Sequence, residues 1–114
     1  MECIFCRIAA GEIPADVVAR SSGAVAFRDL APQAPIHVLV IPIRHVGSAA
    51  ELPVTERQAV LGEITALAVQ VAADLGVAAA GYRLVVNTGG DAGQSVAHLH
   101  AHLLAGRPMK WPPG

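Results

Sequence analysis

Aromatic side chains are scarce in this sequence. Phe5, Phe27, Tyr82 and Trp111 are the whole set, 4% of 114 residues, although 54% of the chain is hydrophobic. A core must therefore be filled by Val, Leu, Ile and Ala. Clustered charge is missing too: the formal net charge is −1, and every Lys and Arg stands alone. That excludes a duplex nucleic-acid surface, which needs massed positive charge, and leaves a small nucleotide open. No apolar run reaches the length of a membrane span. Met1-Glu2-Cys3 lacks the basic and then apolar regions of a signal peptide, so a cytoplasmic protein is expected. There are only two cysteines, and in that compartment they read as thiols or metal ligands rather than a structural disulfide. Internal repeats and low-complexity linkers are absent, and residues 1–114 are expected to form a single domain.

Residues 3–6 read Cys-Ile-Phe-Cys. A Cys-x-x-Cys is half a zinc site, a redox pair, or two small buried side chains. A thioredoxin-like pair would follow a strand, and none precedes this one. A short helix through Arg7-Ile8-Ala9-Ala10 is expected to end at Gly11, with Pro14 blocking continuation. Residues 17–29 read as a hairpin turning at Ser21-Ser22-Gly23. Asp29 closes it ahead of Pro32-Gln33-Ala34-Pro35; locally it reads as a turn aspartate, with ribose binding as the alternative. Ile36–Ile41 is a strand, apolar apart from His37, which needs a partner if buried. By itself His45, in the next loop, reads as a surface histidine.

Residues 55–76 are predicted to be the one long helix. Thr55-x-x-Gln58 resembles a capping box. Val60, Leu61, Ile64, Leu67, Ala68, Val71 and Leu75 recur at helical spacing, and Gly76 closes the segment. Tyr82–Thr88 is another strand. The order of elements, with strands grouped around one helix and no βαβ alternation, predicts an α+β fold. It has a five-stranded, largely antiparallel sheet, one long helix and a short N-terminal helix.

Three of the five histidines fall in His98-Leu99-His100-Ala101-His102. On a strand they line one face, roughly 7 Å apart at each step. Gly89, Gly90 and Gly93 precede them. This is no Walker A loop, since it lacks the Lys and leads into a strand. A turn so rich in glycine exposes backbone N–H groups, with Gln94 and Ser95 beside them, and such nests hold phosphate oxygens. Packing alone does not explain three histidines at this period. Metal ligation and phosphate chemistry both remain.

The run His98-Leu99-His100-Ala101-His102-Leu103-Leu104 matches the His-φ-His-φ-His-φ-φ signature (φ hydrophobic) of the histidine triad superfamily. Cys-Ile-Phe-Cys-Arg-Ile, Ala-Phe-Arg-Asp-Leu-Ala-Pro-Gln-Ala-Pro, Val-Ile-Pro-Ile-Arg-His and Gly-Gln-Ser-Val also resemble it, so the likeness covers nearly the whole chain. The ending Trp-Pro-Pro-Gly is similar to the Hint branch, nucleotide-binding proteins that hydrolyse purine nucleoside phosphoramidates. The resemblance implies a HIT-like fold and a nucleotidyl hydrolase, releasing AMP or GMP through a covalent histidine intermediate. His100 is then the nucleophile, flanked by His102 and His37, and Ser95 bonds the phosphate or the leaving amine. Gln94, Gly93 and the loop N–H groups stabilise developing charge, Asn87 matches a phosphate or ribose contact, and Val96 also falls among the nucleotide-binding residues. Asp29 matches the ribose-binding acid. Ile4, Phe5, Ile8, Phe27, Leu30 and Leu39 match an apolar purine pocket.

The resemblance further implies structural zinc on Cys3, Cys6, His45 and His98, a bacterial-type set combined here with a Hint tail. It also implies a homodimer whose C-terminal arm carries Trp111 to the partner's site. Pro108 and Lys110 depart from the Hint pattern and bear on leaving-group preference. Rival readings are cleavage of dinucleoside polyphosphates, nucleotidyl transfer, and a nucleotide-binding interaction module with vestigial activity.

Overall fold

The expected hairpin forms from β1 (Val17–Arg20) and β2 (Ala24–Arg28). In this computed structural model, which describes residues 3–114, β2 pairs antiparallel with β3 (Ile36–Pro42). Met1-Glu2, part of the signal-peptide argument, lies outside the described residues. β4 (Tyr82–Val86) and β5 (Ala101–Ala105) complete one five-stranded sheet in the order β1-β2-β3-β5-β4, every pair antiparallel. The predicted sheet and helix content is thus found. Among the described residues, no helix is long and apolar enough to cross a membrane.

Alternation along the strands divides the sheet into two apolar layers. Ala24, Ala26, Val38, Val40, Ala101 and Leu103 face the long helix α2 (Arg57–Asp74), which buries Ile64, Leu67, Ala68 and Val71 against them. Each large aliphatic side chain buried there contributes about 1.5–3 kcal/mol. Val25, Phe27, Leu39 and Ile41 face the other way and pack with Phe5 and Ile8 of the short helix α1 (Ile4–Ala9). The register Phe27↔Leu39↔His102 carries this second face across three strands. An apolar floor therefore runs straight up to a histidine.

Three expectations need correction. The capping box is not made: Val54–Glu56 form a 3-10 turn running directly into α2, whose N-cap is Glu56 without a side-chain bond. Pro53 starts that turn at φ −56, and Thr55 lies inside it rather than in the extended conformation a capping threonine needs. The C-terminus does end at glycine. Gly76 takes φ +76, and the amides of Gly76 and Val77 close onto Ala73 and Ala72, a Schellman motif.

The second correction concerns the histidine stretch, where regular pairing begins only at Ala101, so His98 and His100 precede β5. The Pro42 carbonyl at the end of β3 takes the His98 ring, Nε2 to O 2.9 Å. Leu99 N donates to Val46 O instead. The alternation of faces survives without the ladder: Leu99 joins the α2 layer, while His98 and His100 both meet the Phe5 ring. β4 is also shorter than expected and leaves Asn87 and Thr88 beyond its end.

Candidate active site and metal centre

Phe5 sits where two sites meet, with its ring 5.9 Å from that of His98 and 5.3 Å from that of His100. On the His98 side, Cys3 and Cys6 at the start of α1 approach His45 from the loop after β3. Nδ1 of His98 lies 3.3 Å from Cys3 Sγ, 3.5 Å from Cys6 Sγ and 3.2 Å from His45 Nδ1. His45 Nδ1 lies 3.3 Å from Cys6 Sγ. Tetrahedral zinc, with Zn–S of about 2.3 Å and Zn–N of about 2.0–2.1 Å, sets ligand separations of roughly 3.3–3.8 Å. The four side chains fit that shell.

The donor chemistry fits as well. His98 Nε2–H donates to Pro42 O, which leaves the Nδ1 lone pair for a cation. Burial is the main force lowering the His98 pKa, and the neighbouring His45 and His100 act in the same direction against the bond to Pro42, so the neutral ring is favoured. Burial, then the adjacent Cys3, pushes the Cys6 thiol up. Ligation would therefore release a proton there.

On the other side, a cavity of about 270 Å³ runs over the apolar floor of Phe5, Ile8, Phe27 and Leu39 to His100 and His102. Ile4, Leu30, Asp29, Ser95 and Val96 also line it. His100 Nδ1–H donates to His98 O across 2.7 Å. In the neutral ring that bond fixes the proton on Nδ1 and leaves the lone pair on Nε2. His102 is half-buried in β5, with its ring centroid 5.0 Å from that of His100. Burial, then the neighbouring His100 and His37, lowers its pKa to about 4, against the pull of Asp29. His37 is lowered too, by burial, with Asp29 opposing. Near neutral pH both rings are uncharged, so they act as hydrogen-bonding groups and not as cations.

Asp29, His37 and His102 also cluster closely enough to hold a metal ion. The bonding favours a hydrogen-bond chain instead. Gln33 N–H donates to His37 Nδ1 across 3.0 Å, so Nε2 of that ring carries a proton and has no lone pair for a cation.

A family model for the HIT domain matches residues 10–109. The chain belongs to the HIT family. An uncharacterised HIT-like protein of Synechococcus elongatus is 48% identical over 99% of this chain and 97% of its own length. A purine nucleoside phosphoramidase of Escherichia coli is 43% identical over 95% of this chain and 90% of its own. Among solved structures, a HIT family hydrolase from Legionella pneumophila superposes with TM-score 0.93 at 45% identity, covering 99% of this chain and 100% of that one. A zinc-bound histidine triad protein from Mycobacterium smegmatis reaches TM-score 0.78 at 28% identity, covering 94% and 76%.

In this HIT fold the expected residues fall into groups. The structure brings Cys3, Cys6, His45 and His98 together. It places Ile4, Phe5, Ile8, Phe27, Asp29, Leu30, Leu39, Ser95, Val96, His100 and His102 around one cavity. His37 stands behind His102, Nε2 to Nδ1 2.9 Å. Asp29 serves locally as a turn residue as well, Oδ1 accepting from Ala31 N. Besides His37, four expected residues are not on the cavity wall. Asn87 lies past β4, and Trp111 is 82% exposed. Gly93 N–H closes onto Gly90 O within the turn. The Gln94 amide is engaged in holding the loop, accepting from Gly89 N and donating to Gly47 O and Val96 O. The amides of Gly89, Gly93 and Gln94 are thus satisfied internally. The Ser95 hydroxyl, exposed on the wall, makes no hydrogen bond among the described residues.

Sequence reasoning passed over Pro14, Ala15, Asp16 and Arg28, which complete the cavity wall. The signal was the extended segment after Pro14, whose backbone joins β2 through Arg28 N–H to Asp16 O. Arg28 Nε also lies 3.3 Å from the Asp16 carboxylate.

Proposed function

We propose that this HIT protein is a purine nucleoside phosphoramidase that releases AMP or GMP through a nucleotidyl-His100 intermediate. The observation that carries the reading is the His100–His98 hydrogen bond, which leaves Nε2 of the neutral ring unprotonated at the polar end of a cavity with an apolar floor. The similarity to the E. coli phosphoramidase supports the substrate class.

The purine lies over Phe5, Phe27 and Leu39, with Leu30 at the mouth and Asp29 accepting from the ribose hydroxyls. His100 Nε2 attacks the α-phosphorus and the P–N bond breaks. The departing nitrogen takes one proton, for which the Ser95 hydroxyl is the donor. The neutral His102 donates to a phosphoryl oxygen as charge gathers there. Water then attacks the phosphohistidine, returns the proton to Ser95 and frees the nucleoside monophosphate. Gly93 and Gln94 support this end of the site by bracing the turn that leads to Ser95.

Cys3, Cys6, His45 and His98 hold structural zinc in this reading, a closed set of four with no position for substrate. The zinc-bound M. smegmatis relative supports it. Bound there, the ion supplies a fixed cationic anchor between α1 and the segment leading to His100.

The working unit in this reading is a homodimer of single-domain 1–114 chains in the cytoplasm. What supports it is that β4 stands at the sheet edge and Trp111, in the C-terminal tail, is exposed. Steady-state kinetics with adenosine 5′-phosphoramidate and with a dinucleoside polyphosphate test the reaction class. We expect kcat/KM at least about 100-fold higher for the phosphoramidate, some 2.7 kcal/mol of transition-state preference. The reverse order contradicts the reading.

A further inference from the structure

The His37–His102 pair has a direction, and it is set from outside the cavity. A main-chain N–H can only donate, so the 3.0 Å contact from Gln33 N makes His37 Nδ1 an acceptor and leaves the ring proton on Nε2. That Nε2–H faces His102 Nδ1 at 2.9 Å and the Asp29 carboxylate at 3.4 Å. His102 Nδ1 is then the acceptor in its turn. Its own proton sits on Nε2, on the ring edge away from His37. One backbone amide therefore determines which nitrogen of two histidines carries hydrogen.

That amide belongs to the loop between β2 and β3, which is tied down at a single residue from the far end of the chain. Arg107, two residues past β5, donates from Nη2 to Gln33 O across 3.0 Å and from Nη1 to Pro108 O across 3.1 Å. The Gln33 side chain stays within its own loop, donating to Ala31 O. Arg107 is exposed and does not line the cavity.

We propose that Arg107 is a positioning residue. Through Gln33 it locks His37 and His102 as Nε2–H tautomers, so that His102 presents a hydrogen-bond donor to the phosphoryl oxygens. Its purpose rests on the phosphoramidase reading, but the lock itself is a property of the unliganded protein. A neutral imidazole offers a donor on one nitrogen and a lone pair on the other, and the wrong tautomer would aim a lone pair at developing negative charge. The lock excludes that state without charging either ring.

The test pairs two measurements on the full chain. In ¹⁵N-histidine NMR spectra without ligand, His37 should show a lone-pair Nδ1 and a protonated Nε2, and His102 the same. In Arg107→Ala both rings should shift towards a mixture of tautomers. In Arg107→Lys the ammonium can still donate to the Gln33 carbonyl, and the wild-type pattern should largely return. With adenosine 5′-phosphoramidate, Arg107→Ala should lower kcat about three- to tenfold, as expected for loosening one hydrogen bond at a distance, with KM nearly unchanged. A protonated Nδ1 on His37 in the wild type overturns the tautomer assignment. Wild-type spectra in Arg107→Ala overturn the role of Arg107. No turnover by the wild type, with the spectra as expected, would count against the phosphoramidase reading alone.

Discussion

The main-chain oxygen of His98 accepts the Nδ1–H of His100 across 2.7 Å, while the His98 ring belongs to the Cys3, Cys6, His45 group. One residue thus serves two sites with different atoms. Its side chain faces the cation shell and its backbone orients the proposed nucleophile. Disturbing the thiolates should reach His100 through a single peptide unit.

The double variant Cys3→Ser, Cys6→Ser should therefore lose bound zinc, melt on the order of 10 °C lower and turn over more slowly. Elemental analysis and a thermal melt are the checks. Full zinc content in the variant would refute the ligand set. Loss of zinc with undiminished turnover would show that His98 keeps its carbonyl in place unaided.

Stability should depend on pH through His102. In the folded chain its pKa is lowered to about 4 from the ordinary histidine value of 6.5. Between those values the unfolded chain binds the proton and the folded one does not, so stability falls as pH drops through this window. It levels off for this group below about 4, where both states are protonated. His37 is shifted the same way and adds to the slope. Urea denaturation from pH 7 to pH 4 measures it, and His102→Gln should flatten the slope. An unchanged slope in that variant contradicts the assignment.

Asp29 should discriminate the sugar. Its Oδ1 is held by Ala31 N, and the carboxylate lies on the cavity wall. The wild type should prefer the ribo- over the 2′-deoxyribonucleoside phosphoramidate about tenfold in kcat/KM, one hydrogen bond to a charged acceptor. Asp29→Asn should narrow that ratio. An equal preference in both proteins would return Asp29 to its turn role alone.

Much of the fold was legible because Ala24–Arg28 and Ile36–Pro42 are apolar on both faces and so must be covered on both. The 3.6-residue period at Ile64, Leu67, Ala68 and Val71 left equally little choice. The ends of elements were less legible, since competing local chemistry decides them. Pro53 turned the capping residue into the interior of a 3-10 turn. The His98 ring, by taking the Pro42 carbonyl, delayed the start of β5. In the site, imidazoles and thiols announce themselves by type. Walls such as Pro14 and Ala15, and main-chain donors such as Gln33 N–H, carry no side-chain signature. Gln94 shows the converse: its type and place suit phosphate, yet in the folded chain its amide holds Gly89, Gly47 and Val96 together.

The central claim is that His100 becomes covalently nucleotidylated. Quenched incubation with adenosine 5′-phosphoramidate, read by intact-protein mass spectrometry and peptide mapping together with AMP release, tests it most directly. The account predicts one adenylyl adduct on His100. In His100→Ala that adduct should vanish and turnover should fall at least about 1,000-fold, while the variant still binds AMP. An adduct on another residue, or turnover by His100→Ala near the wild-type rate, would contradict it.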